Sequence, residues 1–450
     1  MEMPIDEARL VQDLVRFGAI ASISADPHHV EDVHSSAQAV AEAFRELGMK
    51  AKVVSAQGGL PAVIGRREGP EGAPTVLLYA HHDVQPVGDR SLWSSDPFTV
   101  TARSGRLYGR GTADDKGAIA VHLEALRCLG RDLPVTIAIL IEGEEEVGSP
   151  TLSALLSEHL DQLDADVVLA PDSVNIQTMH PSLTVSLRGL LNVIVTVQTS
   201  QHQVHSGLYG GAVPDAIGAL VRILASMSDD VGGVVIEGLM GAWTGASGPS
   251  ESDIRRQSGL LDGVELIGRG TLGERVWGGP AVTITGIDAP PAAGAANVLS
   301  PRARAAVSVR LTPEQDPSDA LKALEAHVRS HTPWGVEVAI EVTASGAGWR
   351  AEKETPGVER AHRSLTEAFG NASAAVGVGG GIPFIAALVE ALPAVDVVVT
   401  AIQDPQSHAH APDESVALSA LVAATRAEMN FLAALGSDVA IASRTETSWP

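Results

Sequence analysis

Residues 137–149 have the sequence IAILIEGEEEVGS, an apolar run that passes abruptly into a group of carboxylates. The apolar half is rich in β-branched residues and predicts a buried strand, and four glutamates follow within five residues. Like charges at this spacing repel one another and raise one another's pKa. Either the turn is solvated, or a bound cation neutralises it. Because α/β proteins place their binding sites at the carboxyl ends of strands, this position favours the cation.

Metal-ligating residue types also follow three other predicted strands. Each strand is a short, continuous apolar run, as expected for a strand that is buried on both faces. Segments with apolar residues at helical spacing separate these runs. Strands alternating with helices predict an α/β fold, with a mostly parallel sheet and helices on both of its faces. The strands are residues 75–80, 166–170 and 395–401, and the residues that follow them include His81, Asp83, Asp172 and His410.

The pattern changes near Leu183, where apolar and polar residues begin to alternate with period two. Such alternation predicts half-exposed antiparallel strands, and a helix is expected to begin at Pro214, since proline suits a first helical turn. Near the end of the chain we expect a helix over residues 415–435 and then a loose polar tail. The expected domains are residues 1–182 and 349–450, which together form one domain, and an inserted α+β domain of residues 183–348.

The length and composition of the chain restrict its class. A chain of 450 residues is too long for one ordinary core, which predicts two domains. It has 31 Lys and Arg against 55 Asp and Glu, a formal net charge of −24, which argues against nucleic acid or an anionic membrane as a partner. Neither an apolar run of about 18 residues nor a signal-peptide pattern is found. Because Cys128 is the only cysteine, no internal disulfide can form, and a cytoplasmic location is expected.

Five segments of the sequence combine histidines and carboxylates without a thiolate. This set of ligands suits zinc, manganese or cobalt in a catalytic site. Taken singly, such a segment is more often a hydrogen-bonded loop histidine or a solvated acidic turn than a ligand. Their shared position at strand ends and loops favours one joint site. The segments contain His81 and Asp83, Asp114 and Asp115, Glu144 to Glu146, Asp172, and His408 and His410.

Four stretches of the chain together resemble the di-zinc aminoacylase/carnosinase group of metallopeptidases. This group includes dipeptidases, carboxypeptidase G, and the desuccinylase and acetylornithine deacetylase deacylases. The stretches occur in the order of that family and extend over nearly the whole chain. The first, YAHHDVQP at residues 79–86, has the form found in dipeptidases. The others are LYGRGTADDKG at residues 107–117, EGEEEVGS at residues 142–149 and AHAPDE at residues 409–414.

The resemblance implies a site for two divalent ions, with zinc as the expected metal and manganese or cobalt as alternatives. Asp114 would bridge the two ions. His81 and Asp172 would complete the protein ligands of one ion. Glu146 and His410 would complete those of the other.

The resemblance also implies roles for the neighbours of these ligands. Glu145 would act as the general base, and Asp83 would orient the imidazole of a metal ligand. A cis peptide bond is implied between Asp114 and its successor Asp115. Glu142 and Glu144 are then expected to be scaffold residues and solvent contacts.

Residues 183–348 resemble the lid and dimerisation domain of the same family. The resemblance implies a homodimer in which His205 stabilises the oxyanion in the active site of the other subunit. Arg310 would hold the carboxylate of the substrate, and Asn297 lies near another position that contacts substrate. Read without the family, His205 is a loop residue and Arg310 is a surface charge on an alternating strand.

The chemistry that the resemblance implies is hydrolysis of the amide bond of a dipeptide or small peptide. An N-acyl amino acid deacylase with the same chemistry is the alternative, and a non-catalytic ligand-binding relative is the alternative of another class. Intact candidates for all five ligands and for the base argue against the last. The chain departs from the family at Gly381, where a substrate-contacting serine is common, at Asp413, where asparagine is usual, and at Glu144, where an apolar residue is common. These departures concern the choice of substrate more than catalysis.

Overall fold

The computed structural model describes residues 4–239, 241, 248–351, 355–380 and 383–446, and the chain divides into two compact units. The domain boundaries expected after residues 182 and 348 stay predictions. The units are divided a few residues later, and each is described by itself. The first unit comprises Met1–Val185, Ala351–Ala375 and Pro383–Pro450, and the second unit comprises Ser186–Arg350 and Val376–Ile382.

The elements of both units are numbered in chain order. The strands are β1 Lys52–Val54, β2 Ala62–Arg67, β3 Thr75–His81, β4 Thr101–Arg103, β5 Arg106–Tyr108, β6 Thr136–Glu142, β7 Val167–Ala170, β8 Ser182–Leu187, β9 Gly189–Gln198, β10 Val204–His205, β11 Ala281–Asp288, β12 Val298–Leu299, β13 Arg302–Leu311, β14 Glu337–Gly346, β15 Trp349–Arg350, β16 Ala374–Val378, β17 Asp396–Val399 and β18 Ser415–Ala417. The α-helices are α1 Glu7–Gly18, α2 Val30–Glu46, α3 Lys116–Leu129, α4 Leu152–Leu163, α5 Ser206–Tyr209, α6 Ala216–Ala225, α7 Glu251–Ser258, α8 Pro317–Ser330, α9 Pro356–Phe369, α10 Pro383–Ala391 and α11 Leu418–Glu446.

The large sheet of the first unit is built around four neighbouring parallel strands, β6, β3, β7 and β17. Antiparallel strands β2 and β1 continue it on one side, and β8 continues it on the other. The predicted α/β class with a mostly parallel sheet is confirmed. Since the carboxyl ends of the parallel strands meet at one edge, that edge is where such a sheet places a site.

Helices cover both faces of this sheet. Side chains alternate between the faces along a strand, so neighbouring residues of β3 have different partners. Leu78 belongs to the core that contains residues of α3 and α11. Tyr79 points the other way and stacks on Phe384 of α10, with ring centroids 3.4 Å apart. Burial on both faces explains why β3 and β6 are continuous apolar runs.

Two helix boundaries differ from the sequence-based expectation. The helix expected to begin at Pro214 begins at Ala216, because Asp215 is its N-cap and accepts a backbone N–H of the first turn. Aspartate is favoured at an N-cap because its side chain can accept such an N–H, which the side chain of proline cannot. The last helix, α11, continues to Glu446, so the loose tail expected after Gly436 is wrong for the residues that the structure describes.

The helix α11 also contains a long apolar stretch. Leu418–Ser437 is long and apolar enough, by length and composition alone, to cross a membrane, with a mean hydropathy of 1.2. Half of this stretch is buried, and Leu421 and Phe431 belong to the core of the first unit. Packing in that core explains the apolar composition.

The second unit has an antiparallel sheet with strand order β11, β13, β9 and β14. Alternate residues of β9 from Leu191 to Val197 are buried with side chains of α6 and α8, and the residues between them are partly exposed. This is the arrangement that period-two alternation predicts. A short separate pairing joins β10 to β12 and places His205 opposite Val298.

Candidate metal centre

Loops that follow the parallel strands converge at one edge of the sheet in the first unit. His81 is the last residue of β3 and pairs with Glu142, the last residue of β6. Asp172 follows the end of β7, which is the other neighbour of β3. Because these strands are parallel and adjacent, their order alone places the three residues close together.

The first group of metal-ligating side chains consists of His81, Asp114 and Asp172. All three are buried, and their ligand atoms lie within 4.8 Å of one another. Nε2 of His81 lies 3.0 Å from Oδ1 of Asp114. Nδ1 of the same ring lies 3.1 Å from the carbonyl oxygen of Asp83 and 3.5 Å from its carboxylate. A proton on Nδ1, held by Asp83, leaves the lone pair of Nε2 facing the group.

The second group consists of Asp114, Glu146 and His410, with ligand atoms at the same spacing. Nε2 of His410 lies 3.0 Å from Oδ2 of Asp114 and 3.2 Å from Oε2 of Glu146. Asp114 therefore presents one carboxylate oxygen to each group. One carboxylate is thus common to both groups of metal-ligating side chains. The peptide bond between Asp114 and Asp115 is cis, as the family resemblance implies.

The turn that holds Glu145 and Glu146 is anchored from two sides. Oδ2 of Asp83, a fully buried residue, accepts the N–H of Glu146 at 3.1 Å. Gln85 donates its amide N–H to the carboxylate of Glu146 at 2.8 Å. The carboxylate of Glu145 accepts no hydrogen bond from any residue within the described ranges. One of the two adjacent glutamates is thus fixed and the other is left free to exchange a proton.

Burial and crowding raise the pKa values of several groups at this edge. Burial, reinforced by the charges of Asp114 and Glu146, raises the pKa of Asp172 to about 7. Burial and the charge of Asp172 also raise the pKa of Glu145 well above its usual range. Hydrogen bonds to Asp114 and Glu146 raise the pKa of His410 to about 10. Without a cation, Asp172, Glu145 and His410 therefore favour their protonated forms more than such groups ordinarily do.

The residues present fit two divalent cations. The donor atoms of both groups are imidazole nitrogens and carboxylate oxygens, a set that suits zinc, manganese or cobalt. A cation would stabilise the ionised form of carboxylates whose pKa is otherwise raised. Each group supplies three protein ligands, which leaves room for water or substrate, as in catalytic rather than structural sites.

Glu142 and Glu144 are buried, with only 3% and 6% of their surface exposed, so the expectation that they are solvent contacts is wrong. Glu142 is buried and accepts the phenolic O–H of Tyr79 at 2.9 Å, and burial raises its pKa to about 7. Glu144 is also buried and accepts the N–H of Leu60 at 2.7 Å and the O–H of Thr151 at 2.6 Å. The hydrogen bonds of Glu144 anchor the turn, and the hydrogen bond of Glu142 joins the end of β6 to β3.

The segment from residue 404 to residue 415, called the His410 loop below, has a constrained backbone. His408, His410 and Asp413 have φ angles of 52°, 64° and 59°, in the left-handed region that non-glycine residues rarely adopt. Asp413 accepts both the N–H and the O–H of Ser94, at 2.8 and 2.5 Å. Its carboxylate therefore fixes the loop. Gly381, another of the three positions at which the chain departs from the family pattern, lies outside the described residues.

Two buried arginines that hold the His410 loop were not identified from the sequence. Arg106 donates to Asp404 at 2.8 and 3.1 Å, and Arg110 donates to Glu414 at 2.6 Å. The available signal was that Arg110 and Glu414 lie inside two of the quoted stretches. A charged residue in a motif is ordinarily expected at the surface, and only its distant partner shows that it is buried.

The three predicted substrate contacts lie in the second unit. His205 is exposed, and its Nδ1 accepts the N–H of Gly207 at 3.0 Å. Asn297 lies beside it, since its carbonyl oxygen accepts the N–H of Ser206 at 2.9 Å. Arg310 of β13 is half-buried, which lowers its pKa, and it has no ion-pair partner in the part of the chain that the structure describes.

Comparison with known proteins places these features in a family. The model of peptidase family M20/M25/M40 matches residues 77–434. A cysteinylglycine-S-conjugate dipeptidase of Corynebacterium striatum is 33% identical over 438 residues, which cover 95% of this chain and 96% of that protein. A Cys-Gly metallodipeptidase of Schizosaccharomyces pombe is 30% identical over 346 residues, covering 71% and 72%. The crystal structure of human carnosine dipeptidase 1 has the same fold, with a TM-score of 0.81, 24% identity and 96% of each chain covered.

Proposed function

This chain belongs to peptidase family M20/M25/M40, and on that basis we propose that it is a metal-dependent dipeptidase that hydrolyses the amide bond of dipeptides or small peptides. One observation carries the proposal. Asp114 is shared by two groups of metal-ligating side chains, and Glu145 lies next to Glu146 of the second group. The names of the relatives support dipeptides, with Cys-Gly and its S-conjugates as the first substrates to test.

All five residues that would hold the proposed cations belong to the first unit. Zinc is the first candidate, and manganese and cobalt are alternatives that the same ligands accept. When bound, the two cations would polarise the scissile carbonyl and lower the pKa of the attacking water. The proposed ligands are His81, Asp114 and Asp172 for one cation, and Asp114, Glu146 and His410 for the other.

Glu145 is the proposed general base. It would take a proton from the attacking water and deliver it to the leaving amine. Its carboxylate accepts no hydrogen bond from the described residues, so it would be free to take the proton and hold it until the amine accepts it. Asp83 would act through its neighbours, since it contacts both His81 and the backbone of Glu146.

Residues of the second unit are proposed to bind the substrate within a homodimer. His205 would donate to the developing oxyanion in the other subunit, an interaction typically worth about 3 kcal/mol. Because its Nδ1 accepts a backbone N–H, the neutral ring carries its proton on the exposed Nε2. Arg310, which has no ion-pair partner among the described residues, would bind the terminal carboxylate of the substrate as a bidentate fork, near the proposed contact Asn297. Sedimentation equilibrium tests the dimer, and full activity of a monomer would overturn this arrangement.

The reaction is tested with the full chain, reconstituted with zinc, manganese or cobalt. We expect turnover of Cys-Gly and other dipeptides and none of N-acetyl or N-succinyl amino acids. Turnover of the acylated amino acids alone would show a deacylase instead. Binding of two cations without hydrolysis of either class would show a non-catalytic relative.

Arg310→Met provides a matched test of how the substrate is held. It should raise KM for dipeptides with a free carboxylate and leave KM for the same dipeptides with an amidated terminus nearly unchanged. Equal effects on both would mean that Arg310 does not bind the carboxylate.

We also propose a cytoplasmic location and small peptides, rather than nucleic acid, as partners. The free, buried Cys128 fits a reducing compartment, and the formal net charge of −24 disfavours polyanions. Fractionation of the producing cells tests the location.

A further inference from the structure

A buried ion pair is hydrogen-bonded to the backbone of Asp114 in the candidate metal centre. Glu414 and Arg110 are 0% and 1% exposed, and Nη1 of Arg110 donates to Oε2 of Glu414 at 2.6 Å. The other oxygen, Oε1, accepts the N–H of Ala113 at 2.9 Å and the N–H of Asp114 at 3.1 Å. One carboxylate thus bonds to an arginine and to the backbone of the residue that both ligand groups share.

The same pair also contacts the loop that follows His81 and the His410 loop. Nη2 of Arg110 donates to the carbonyl oxygen of Pro86 at 3.1 Å, in the loop that follows His81. Glu414 is itself part of the His410 loop. The carbonyl oxygen of Glu414 also accepts the N–H of Gly109 at 2.9 Å, next to the pairing of β18 with β5.

The backbone of the His410 loop needs such support. Three of its non-glycine residues have positive φ, and conformations of this kind persist only where the surrounding structure determines them. Arg106 holds one end of the loop at Asp404, and Glu414 holds the other end. Of Asp404 and Glu414, only Glu414 also accepts the backbone N–H of Asp114.

We propose that Glu414, paired with Arg110, is a positioning residue that sets the distance between Asp114 and His410 and thereby the affinity of the second ligand group for its cation. This inference rests on the proposed two-cation site. Asp114 and His410 come from segments far apart in sequence, and Glu414 is bonded to both segments. Of the first group, His81 and Asp172 make no bond to this pair in the described structure, so the first cation should depend on it less.

A second arginine–glutamate pair, in which the carboxylate is buried and the arginine is partly exposed, supplies a control. Glu124 has a fully buried side chain, accepts the N–H of Asp6 at 2.9 Å and binds the guanidinium of Arg9 at 2.8 Å. It contacts none of the five proposed ligands. Glu124→Gln therefore measures the general cost of losing a buried carboxylate that is bonded to an arginine and a backbone amide.

The test compares Glu414→Gln with wild type and with Glu124→Gln as full-length, metal-free protein. A glutamine amide has only one acceptor oxygen, so it cannot accept from Arg110 and from the two backbone amides at once. Each protein is titrated with Co²⁺, followed by its visible absorption and by calorimetry. His410→Ala identifies the binding event that belongs to the second group. We expect Glu414→Gln to weaken that event by about 10- to 100-fold, with little change in the other event, and Glu124→Gln to bind both ions as wild type does.

Wild-type affinity of folded Glu414→Gln for both ions would overturn the inference, and so would an equal loss in Glu124→Gln. If Glu414→Gln does not fold by circular dichroism, Arg110→Lys decides, because lysine keeps the charge and loses the second donor to Pro86. Weakened second-ion binding in that variant supports the inference, and unchanged binding overturns it. If wild type itself binds fewer than two Co²⁺ ions, the proposed function fails as well, and this result is distinct from a defect confined to the variant.

Discussion

The adjacent residues Glu145 and Glu146 show how neighbours of identical chemistry are separated by their surroundings. Glu146 is held by Gln85 and lies 3.2 Å from His410, so its carboxylate has a fixed direction. Glu145 accepts no side-chain hydrogen bond within the described ranges, and burial raises its pKa. The first environment suits a metal ligand, and the second suits a group that gains and loses a proton.

These environments predict different defects for matched substitutions. Glu145→Gln should lower kcat by about 10²- to 10⁴-fold while two cations remain bound, because it removes a proton acceptor and no ligand. Glu146→Gln should lose the cation of the second group. Metal analysis after dialysis, together with kcat, distinguishes the two variants. Near-normal rates for Glu145→Gln would show that another residue is the base.

At the scale of elements, the start of α6 shows why the helix begins at Ala216 and not at Pro214. Pro214 precedes the N-cap Asp215 instead of standing in the first turn. Asp215 accepts the N–H of Gly218 at 2.9 Å with one oxygen and the N–H of Ser300 at 2.8 Å with the other. The cap thus joins the helix to the segment before β13.

Loss of this cap should destabilise the second unit. Asp215→Ala is expected to cost about 1–2 kcal/mol of unfolding free energy, because it leaves two backbone amides without their acceptor. Hydrogen exchange of α6 amides measures the change, and Pro214→Ala is the control. If both variants exchange alike, the cap does not determine the stability of this helix.

The sequence predicts the elements better than the contacts among them. Continuous apolar runs identify β3 and β6, and period-two alternation identifies β9, because each pattern reports which faces are buried. The convergence of His81 and Asp172 follows from parallel strand order. The pairing of Arg110 with Glu414 does not follow from any local pattern, since its burial depends on a partner about three hundred residues away.

At the scale of the whole molecule, part of the surplus of acidic residues is buried. Glu142 and Asp172 both have a pKa of about 7, against ordinary values of 4.5 and 3.8. The folded, metal-free protein therefore binds protons that the unfolded chain has already released at neutral pH. Such groups make stability decrease as the pH rises through their folded pKa.

Metal-free protein should accordingly unfold at a lower temperature at about pH 8.5 than at about pH 5.5. The raised pKa of His410, about 10, acts in the same direction, because its stabilising charge is lost as the pH rises. The increase in melting temperature caused by added cations should follow the opposite trend. Cations bind deprotonated ligands, so this increase should be larger at high pH. Calorimetry with and without Zn²⁺ measures both trends, and Asp172→Asn should flatten the metal-free one. A metal-free melting temperature that rises over this range would contradict the assignment.

Strand β17 and the His410 loop leave the ribosome after residues 186–350. The second unit, almost continuous in sequence, can therefore complete its sheet while the first unit still lacks the strand between β7 and β8. A nascent chain at that stage already carries His81, Asp114 and Asp172, but His410 has not yet been synthesised. Such a chain contains all three residues of the first group, but it lacks His410 of the second group. Because the second unit precedes residue 410 in the chain, the last of the five proposed ligands is added only after the strands of the second unit have been synthesised.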